Sequence, residues 1–157
     1  MEFVHLRVYS EYSLLDSPSR IKSLVKSAKQ MGYSSLALTD KGTMYGTIPF
    51  YKACEENGIK PIIGLDVRVG NEAGTAVYQQ ERQFDNLVLL AKNLEGYKNL
   101  LQISTYMQHS AGSKPYIEKT KLLTLTEGLI ALTGTLESTI GQELLYGEES
   151  AAFQLAL

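Results

Sequence analysis

Residues 35–69 read SLALTDKGTMYGTIPFYKACEENGIKPIIGLDVRV, and the order of elements in this stretch decides the fold class. Ser35 to Thr39 (SLALT) is a mostly apolar run, the length of a buried strand and too short for a helix. It breaks at Asp40-Lys41-Gly42, a polar turn. A helix is predicted from about Ile48 to Asn57, stopped by Gly58. Pro61 to Val69 (PIIGLDVRV) then reads as the next strand. Strand, helix and strand with short connections is the pattern of a parallel βαβ unit.

Working outward, Phe3 to Asp16 (FVHLRVYSEYSLLD) begins as an alternating strand. His5, Arg7 and Tyr9 share one face at period two, and Val4, Leu6 and Val8 the other. Polar and aromatic side chains projecting from one strand suggest the floor of a site; a polar-faced edge strand is the plainer account. Ser17 is expected to cap the following helix, with Pro18 in its first turn. Ile21, Leu24, Val25, Ala28 and Met31 recur at three and four with lysines between, an amphipathic helix closed by Gly32.

Past residue 69, Gly70 to Gly74 is turn-rich, and Thr75 to Tyr78 is expected to form half a hairpin returning through Phe84. Asn86 to Ala91 (NLVLLA) reads as a strand and Leu94 to Met107 as a helix, with Tyr97, Leu100, Leu101 and Ser104 facing inward. His109 to Pro115 is a loop, Thr120 to Leu125 a short helix, and Leu129 to Thr133 (LIALT) a strand. Ile140 to Tyr146 and Glu148 to Leu157 complete the chain as helices. The fold class is α/β, as part of a barrel.

At 157 residues the chain is one domain's worth, with 44% hydrophobic and 20% charged residues, a globular composition. A net charge of −2 and a pI near 5.7 give no general attraction to nucleic acid, which requires clustered Lys and Arg. The single cysteine, Cys54, excludes an internal disulfide framework and fits a reducing compartment. With neither a membrane-length apolar run nor a signal-peptide pattern, the expected location is the cytoplasm.

In parallel α/β folds, sites gather at the carboxyl ends of strands. Those ends collect His5, Arg7, Tyr9, Asp16, Asp40, Lys41, Asp66, Asn86 and Thr135. A lone Asp there is usually a cap or turn former; several in register weaken that account. Other motifs are weaker. Gly42 to Gly46 (GTMYG) lacks phosphate-loop spacing, and no G-x-S-x-G elbow accompanies Ser10, Ser13 and His5. His109 reads as solvated, Cys54 as a packed small residue, and the ten tyrosines as scattered core and rim.

Taken together, FVHLRVYSEYSLLD, SLALTDKGTMYGTIPFYKACEENGIKPIIGLD, NLVLLAKNLEGYKNLLQIS and GLIALTGTL resemble the polymerase-and-histidinol-phosphatase (PHP) domain of bacterial DNA polymerase III alpha subunits. The resemblance covers roughly residues 3–145, in the family's order. It implies a distorted (β/α)7-type barrel, with residues 1–157 its amino-terminal part, truncated before the barrel is complete and carrying no second domain.

Active members hold several divalent metals with His, Asp, Glu and Cys. Against that pattern the opening H-x-H-x-H appears as His5, Arg7 and Tyr9, and Asp16 matches an aspartate. The D-H-G histidine is Lys41, and a glutamate is Asp66. A histidine is Asn86, and a cysteine is Thr135. Arg and Lys have no lone pair for a metal, and Tyr, Asn and Thr replace imidazole or thiolate poorly. The expectation is a vestigial site with no catalytic residue and no metal; at most His5, Asp16 and Asp66 form a weak triad. Arg7 and Lys41 are expected to take over the metal's charge by pairing with the carboxylates.

The resemblance further implies a parent protein that performs template-directed, Mg2+-dependent nucleotidyl transfer, with its palm beyond residue 157. This segment is then a scaffold docking on the rest of the alpha subunit, other replisome subunits or a proofreading exonuclease. It meets DNA only through the parent and has no membrane role. An uncovered edge strand favours self-association. Two alternatives stay open. One is a metal-dependent phosphoesterase or 3'-5' exonuclease with a reduced ligand set; the other is a phosphate-binding module using Arg7 and Lys41.

Overall fold

A computed structural model of the chain describes residues 3–70, 84–109, 115–133, 138–147 and 149–156. The elements run α1 (Ile21–Gln30), β1 (Ser35–Leu38), α2 (Thr47–Asn57), β2 (Lys60–Gly70), β3 (Phe84–Ala91), α3 (Leu94–His109), β4 (Ile117–Glu118), α4 (Lys119–Leu123), β5 (Leu129–Leu132), α5 (Thr139–Leu145) and α6 (Glu149–Ala156). They form a mixed α/β fold around a five-stranded sheet in the order β1-β2-β3-β5, with β4 beside the far end of β2.

The βαβ unit forms as its sequence dictates. β1 pairs parallel with the first half of β2, Ser35 opposite Lys60 and Leu38 opposite Ile63. Between them α2 ends at Gly58, whose φ of 64° is left-handed backbone that glycine adopts without strain. Ile59 N–H then returns to the Cys54 carbonyl at 2.9 Å, closing the helix end.

Beyond that unit the sheet changes direction. β2 and β3 are antiparallel from Gly64–Leu90 to Gly70–Phe84, and β5 adds antiparallel to β3. Period-two alternation in β2 places Leu65, Val67 and Val69 in a core with Leu100, Ile103, Met107 and Ile117. Asp66 lies on the opposite face. A second core joins α1, β1 and α2 through Val25, Leu36, Leu38, Phe50 and Cys54, and Ile63 packs against both cores. Burial pushes the Cys54 thiol up to about 11, which suits a packed residue and not a nucleophile.

The opening segment departs from expectation. Residues 3–10 run extended beside β1, with Ala37 N–H donating to His5 O (3.1 Å) and Thr39 N–H to Val8 O (2.8 Å), but they form no regular strand. The reason is local: the Thr39 hydroxyl accepts Val8 N–H (2.9 Å) and donates to Val8 O (3.1 Å). A side chain thus takes up part of the ladder's bonding. The two-faced alternation is lost with it, since Leu6 is 38% exposed and His5 is exposed as well.

Helix starts and faces also differ. Ser17 does not cap α1; its hydroxyl donates to Tyr9 O (3.0 Å) and accepts Ser19 N–H (3.2 Å). Glu11 serves instead, its Oε2 accepting Ile21 N–H at 2.8 Å, a carboxylate at the positive end of a helix. Met31 lies beyond α1 and is 65% exposed. In α3 the buried face is Gly96, Asn99, Leu100, Ile103, Ser104 and Met107. Leu101, expected inward, is therefore rotated outward at 39% exposure. His109 ends α3 and does not open a loop. The expected hairpin at Thr75 to Tyr78 lies outside the described residues.

One close approach locks α3 to the turn before β5. Asn93 Oδ1 caps α3 by accepting Gly96 N–H (3.0 Å), and Lys92 N–H donates to Gly128 O (2.8 Å). A Cβ at Gly96 would sit inside the van der Waals shell of that same Gly128 carbonyl. Gly96→Ala is therefore expected to destabilise by about 1–3 kcal/mol through overpacking, despite alanine's better helix propensity. Urea unfolding reads this directly, and a stability gain would contradict the packing.

Candidate functional site

The site is assembled where β1 hands over to the loop beside β2. After Leu38 the chain continues parallel to β2 as Thr39-Asp40-Lys41. Asp66 N–H donates to Asp40 O (3.1 Å) and Gly42 N–H to Asp66 O (2.9 Å), a single bridge between Lys41 and Asp66. From the other side α3 pins Gly42, whose carbonyl accepts from Gln108 Nε2 (3.0 Å) and Ser104 Oγ (3.3 Å). Gly64, one pleat before Asp66, admits no side chain. A Cβ there would lie 2.6 Å from Leu90 Cδ2 and 2.8 Å from Thr39 Cγ2.

Asp66 is 5% exposed, and one of its oxygens gathers three donor contacts. Oδ2 accepts from Arg7 Nη2 (2.8 Å), Arg7 Nε (3.1 Å) and the Tyr9 hydroxyl (2.5 Å). Arg7 Nε also lies 2.7 Å from that hydroxyl, as its donor. The triangle carries one fixed positive charge, one carboxylate and one neutral phenol. Burial raises the Tyr9 pKa, and its bond to Asp66 and that residue's charge raise it further; Arg7 opposes them. For Arg7, burial alone would lower the pKa, but the bond to Asp66 and its charge outweigh this and the net shift is upward.

A second ion pair lies above the first. Lys41 Nζ donates to Asp16 Oδ1 at 2.7 Å, with each side chain over two-fifths exposed. The Tyr9 ring has Lys41 Nζ at 5.3 Å and Arg7 Cζ at 5.6 Å from its centroid, within cation–π range.

Of the expected site positions, the structure thus brings together Arg7, Tyr9 and Asp66, with Lys41 and Asp16 adjoining. His5 is not with them. Its ring packs edge-on against Phe3 and Tyr33, with Nε2 3.4 Å from the Tyr33 hydroxyl. Asn86 sits on β3 opposite Arg68, one pair along from Asp66 on the same face. Thr135 lies outside the described residues.

One of the strand-end polar residues expected at the rim of the site is instead a buried internal group. Asp40, 2% exposed, accepts Ser10 N–H, Ser10 Oγ and Ser13 Oγ, each at 2.6 Å. Ser13 Oγ in turn accepts Lys41 N–H (3.1 Å). These serines fasten the turn that carries Asp16 and do no nucleophilic work. Two serines spaced three apart, facing an Asp at a strand end, were the available signal.

This donor set does not fit a divalent metal. Among the described residues no three His, Cys, Asp or Glu side chains converge. The most buried carboxylate of the cluster faces a guanidinium, a cation with no lone pair to give.

A family profile for the PHP domain matches residues 5–157. The chain belongs to the PHP domain family. Relatives include the DNA polymerase III subunit alpha of Bacillus subtilis, 47% identical over 133 residues, covering 85% of this chain and 11% of the relative. That of Treponema pallidum is 40% identical over 156 residues, covering 97% of the chain and 13% of the relative. The chain therefore spans only 11–13% of the length of these relatives. Among solved structures, an amidohydrolase from Chromobacterium violaceum aligns at 18% identity and a TM-score of 0.48, over 67% of this chain and 33% of that one.

The two ion pairs of the PHP cluster should differ in worth. Arg7→Met strands a buried carboxylate and is expected to cost about 1–3 kcal/mol. That falls short of the 3–5 kcal/mol for fully buried pairs, because Arg7 is 31% exposed. Lys41→Met, at a solvated pair, should cost under about 1 kcal/mol. Denaturant midpoints compare the two, and equal costs would overturn the layering.

The raised Tyr9 pKa also has a sign. A group that holds its proton more tightly when folded contributes stability in full below its ordinary pKa, about 10 for tyrosine. The contribution is lost as pH rises from there through the folded value. Stability should fall above about pH 10, less steeply in Tyr9→Phe. Carbon-13 NMR of labelled tyrosine should show Tyr9 still protonated where exposed tyrosines have ionised.

Proposed function

We propose that this PHP chain is the amino-terminal module of a replicative DNA polymerase III alpha subunit, acting as a metal-independent structural and docking scaffold. The observation that carries the reading is the occupation of Asp66. A PHP hydrolase needs several divalent ions about 3.5–4 Å apart, each with its own ligands. Here Arg7 supplies fixed positive charge at that carboxylate, and His5 and Asp16 are committed elsewhere. On this reading His5, Arg7, Tyr9, Asp16, Lys41, Asp66, Asn86 and Thr135 are positions of a lost ligand set, and none is catalytic.

The parent protein, on the strength of its alpha-subunit relatives, is a DNA-directed DNA polymerase of the bacterial cytoplasm that uses Mg2+ in a domain outside these residues. The module's partners are the rest of that subunit, other replisome subunits and a proofreading exonuclease, with DNA reached through the parent. Residues 1–157 supply the first strands of a barrel completed by further chain.

Calorimetric titration with Mn2+ and with Zn2+ tests the reading. No stoichiometric binding tighter than about 1 mM, or about 4 kcal/mol, is expected. An end-labelled strand should survive incubation with the protein and Mn2+. Micromolar binding, or Mn2+-dependent cleavage abolished by Asp16→Asn, would establish a reduced-ligand phosphoesterase or exonuclease instead. Inorganic phosphate is not expected to bind, because Arg7 and Lys41 already face carboxylates.

A further inference from the structure

The charge of the chain is segregated, and its positive share is concentrated on one helix. From Leu122 to Leu157 the sequence holds five glutamates and no lysine or arginine, so the first 121 residues carry a net +3 against −2 for the whole. Within them, residues 17–39 hold Arg20, Lys22, Lys26 and Lys29 and no Asp or Glu. The three lysines stand on α1 at i, i+4 and i+7, one face of the helix, and all are exposed. Among the described residues the ion pairs are Arg7–Asp66, Lys41–Asp16 and Lys98–Glu95, so none of the three lysines is neutralised. Glu11, the carboxylate at the start of α1, is engaged by Ile21 N–H. Glu55 and Glu56 of the adjoining α2 come within ion-pair distance of none of them.

This arrangement costs the helix stability. Like charges at i, i+4 and i, i+3 repel. Lys22 also adds its charge to the positive end of the helix dipole, in a first turn with no acidic residue. Only Lys29, in the last turn, is favoured by the dipole. A solvated helix face ordinarily mixes the two signs. Here the exposed residues of α1 are Lys22, Ser23, Lys26, Lys29 and Gln30, every one a hydrogen-bond donor and none a carboxylate. Such a face is stabilised by an external polyanion that meets each lysine with a negative charge.

We propose that the Lys22, Lys26 and Lys29 face of α1 binds the phosphodiester backbone of duplex DNA directly and without sequence preference. The choice of duplex DNA rests on the replicative reading, and the contact is one this module makes itself, in addition to any made through the parent. Lysine suits the task as a compact point charge on a flexible stem, and the neutral donors Ser23 and Gln30 are further phosphate partners. Two other occupants fit less well. A membrane-surface helix buries its apolar face in lipid, but Ile21, Val25 and Ala28 of α1 are already buried in the core. A protein partner needs apolar anchors at the centre of its interface, and no exposed residue of α1 is apolar.

Fluorescence anisotropy of a short labelled DNA duplex, titrated with the 157-residue protein in EDTA, tests this. One phosphate contact per lysine gives an expected slope of log K on log salt of about −3, a fall of about 40-fold in affinity between about 50 and 200 mM salt. Lys22→Gln and Lys26→Gln should each weaken binding severalfold and make the slope shallower by about 1. Their urea midpoints without DNA should stay equal or rise, because repulsion within α1 is relieved. Lys98→Gln, on α3, should leave binding unchanged. Binding undetected at about 1 mM protein and low salt overturns the proposal, as does binding that Lys98→Gln weakens as much as Lys26→Gln. Tighter binding to an RNA duplex of equal length, or to phosphatidylserine vesicles, also overturns it. EDTA keeps metal-dependent cleavage out of the measurement, so failure here leaves the metal-independent reading standing, and metal binding at Asp66 would leave this contact standing.

Discussion

Much of the molecule is referred to one carboxylate oxygen. Asp66 Oδ2 ties Arg7 and Tyr9, more than fifty residues earlier, to the middle of β2. The opening segment needs this tie because it has no proper ladder of its own, its bonding to β1 being interrupted by the Thr39 hydroxyl. A buried carboxylate is costly unless its charge is met and its lone pairs are filled. Here one guanidinium and one phenol do both. Tyr9 contributes by staying neutral, as its raised pKa requires.

That arrangement is the ground for the proposal that this PHP chain acts without metal. A multi-metal cluster organises a site by drawing several negative and imidazole ligands around concentrated positive charge. Arg7 and Lys41 deliver positive charge covalently attached to the chain, each beside one carboxylate. On the proposed reading, what a metal would do by coordination the side chains do by hydrogen bonding. The proposed scaffold role rests on this chemistry. Ile63 packs against both of the supporting cores. A fully buried Leu65 contributes about 1.5–3 kcal/mol on the face opposite the cluster.

The α/β class and the elements around Ser35 to Val69 were legible in the sequence because their signals are local. Short apolar runs, a 3.6-residue period and a terminating glycine each act over a few residues. The residue types at the expected ligand positions were likewise plain in the sequence, and Arg and Lys cannot ligate a metal wherever they stand. Less legible were the helix face at Leu101 and the start of α1. A rotation of α3 by one position, or a cap in which Glu11 accepts from an N–H ten residues away, leaves no signature in spacing.

The sequence by itself determined which residue types were available: two cations and a phenol among the expected ligand positions, and an acidic carboxyl-terminal stretch without a single Lys or Arg. Only the tertiary structure decided their pairing. It set Arg7 and Tyr9 on Asp66, put Lys41 on Asp16, and turned His5 away to Tyr33. It also made Asp40 an internal fastening for two serines and not a rim carboxylate. The physical reason is range. Backbone preferences are set by neighbours in the chain, but a carboxylate takes whichever donor the packing of distant segments brings within about 3 Å.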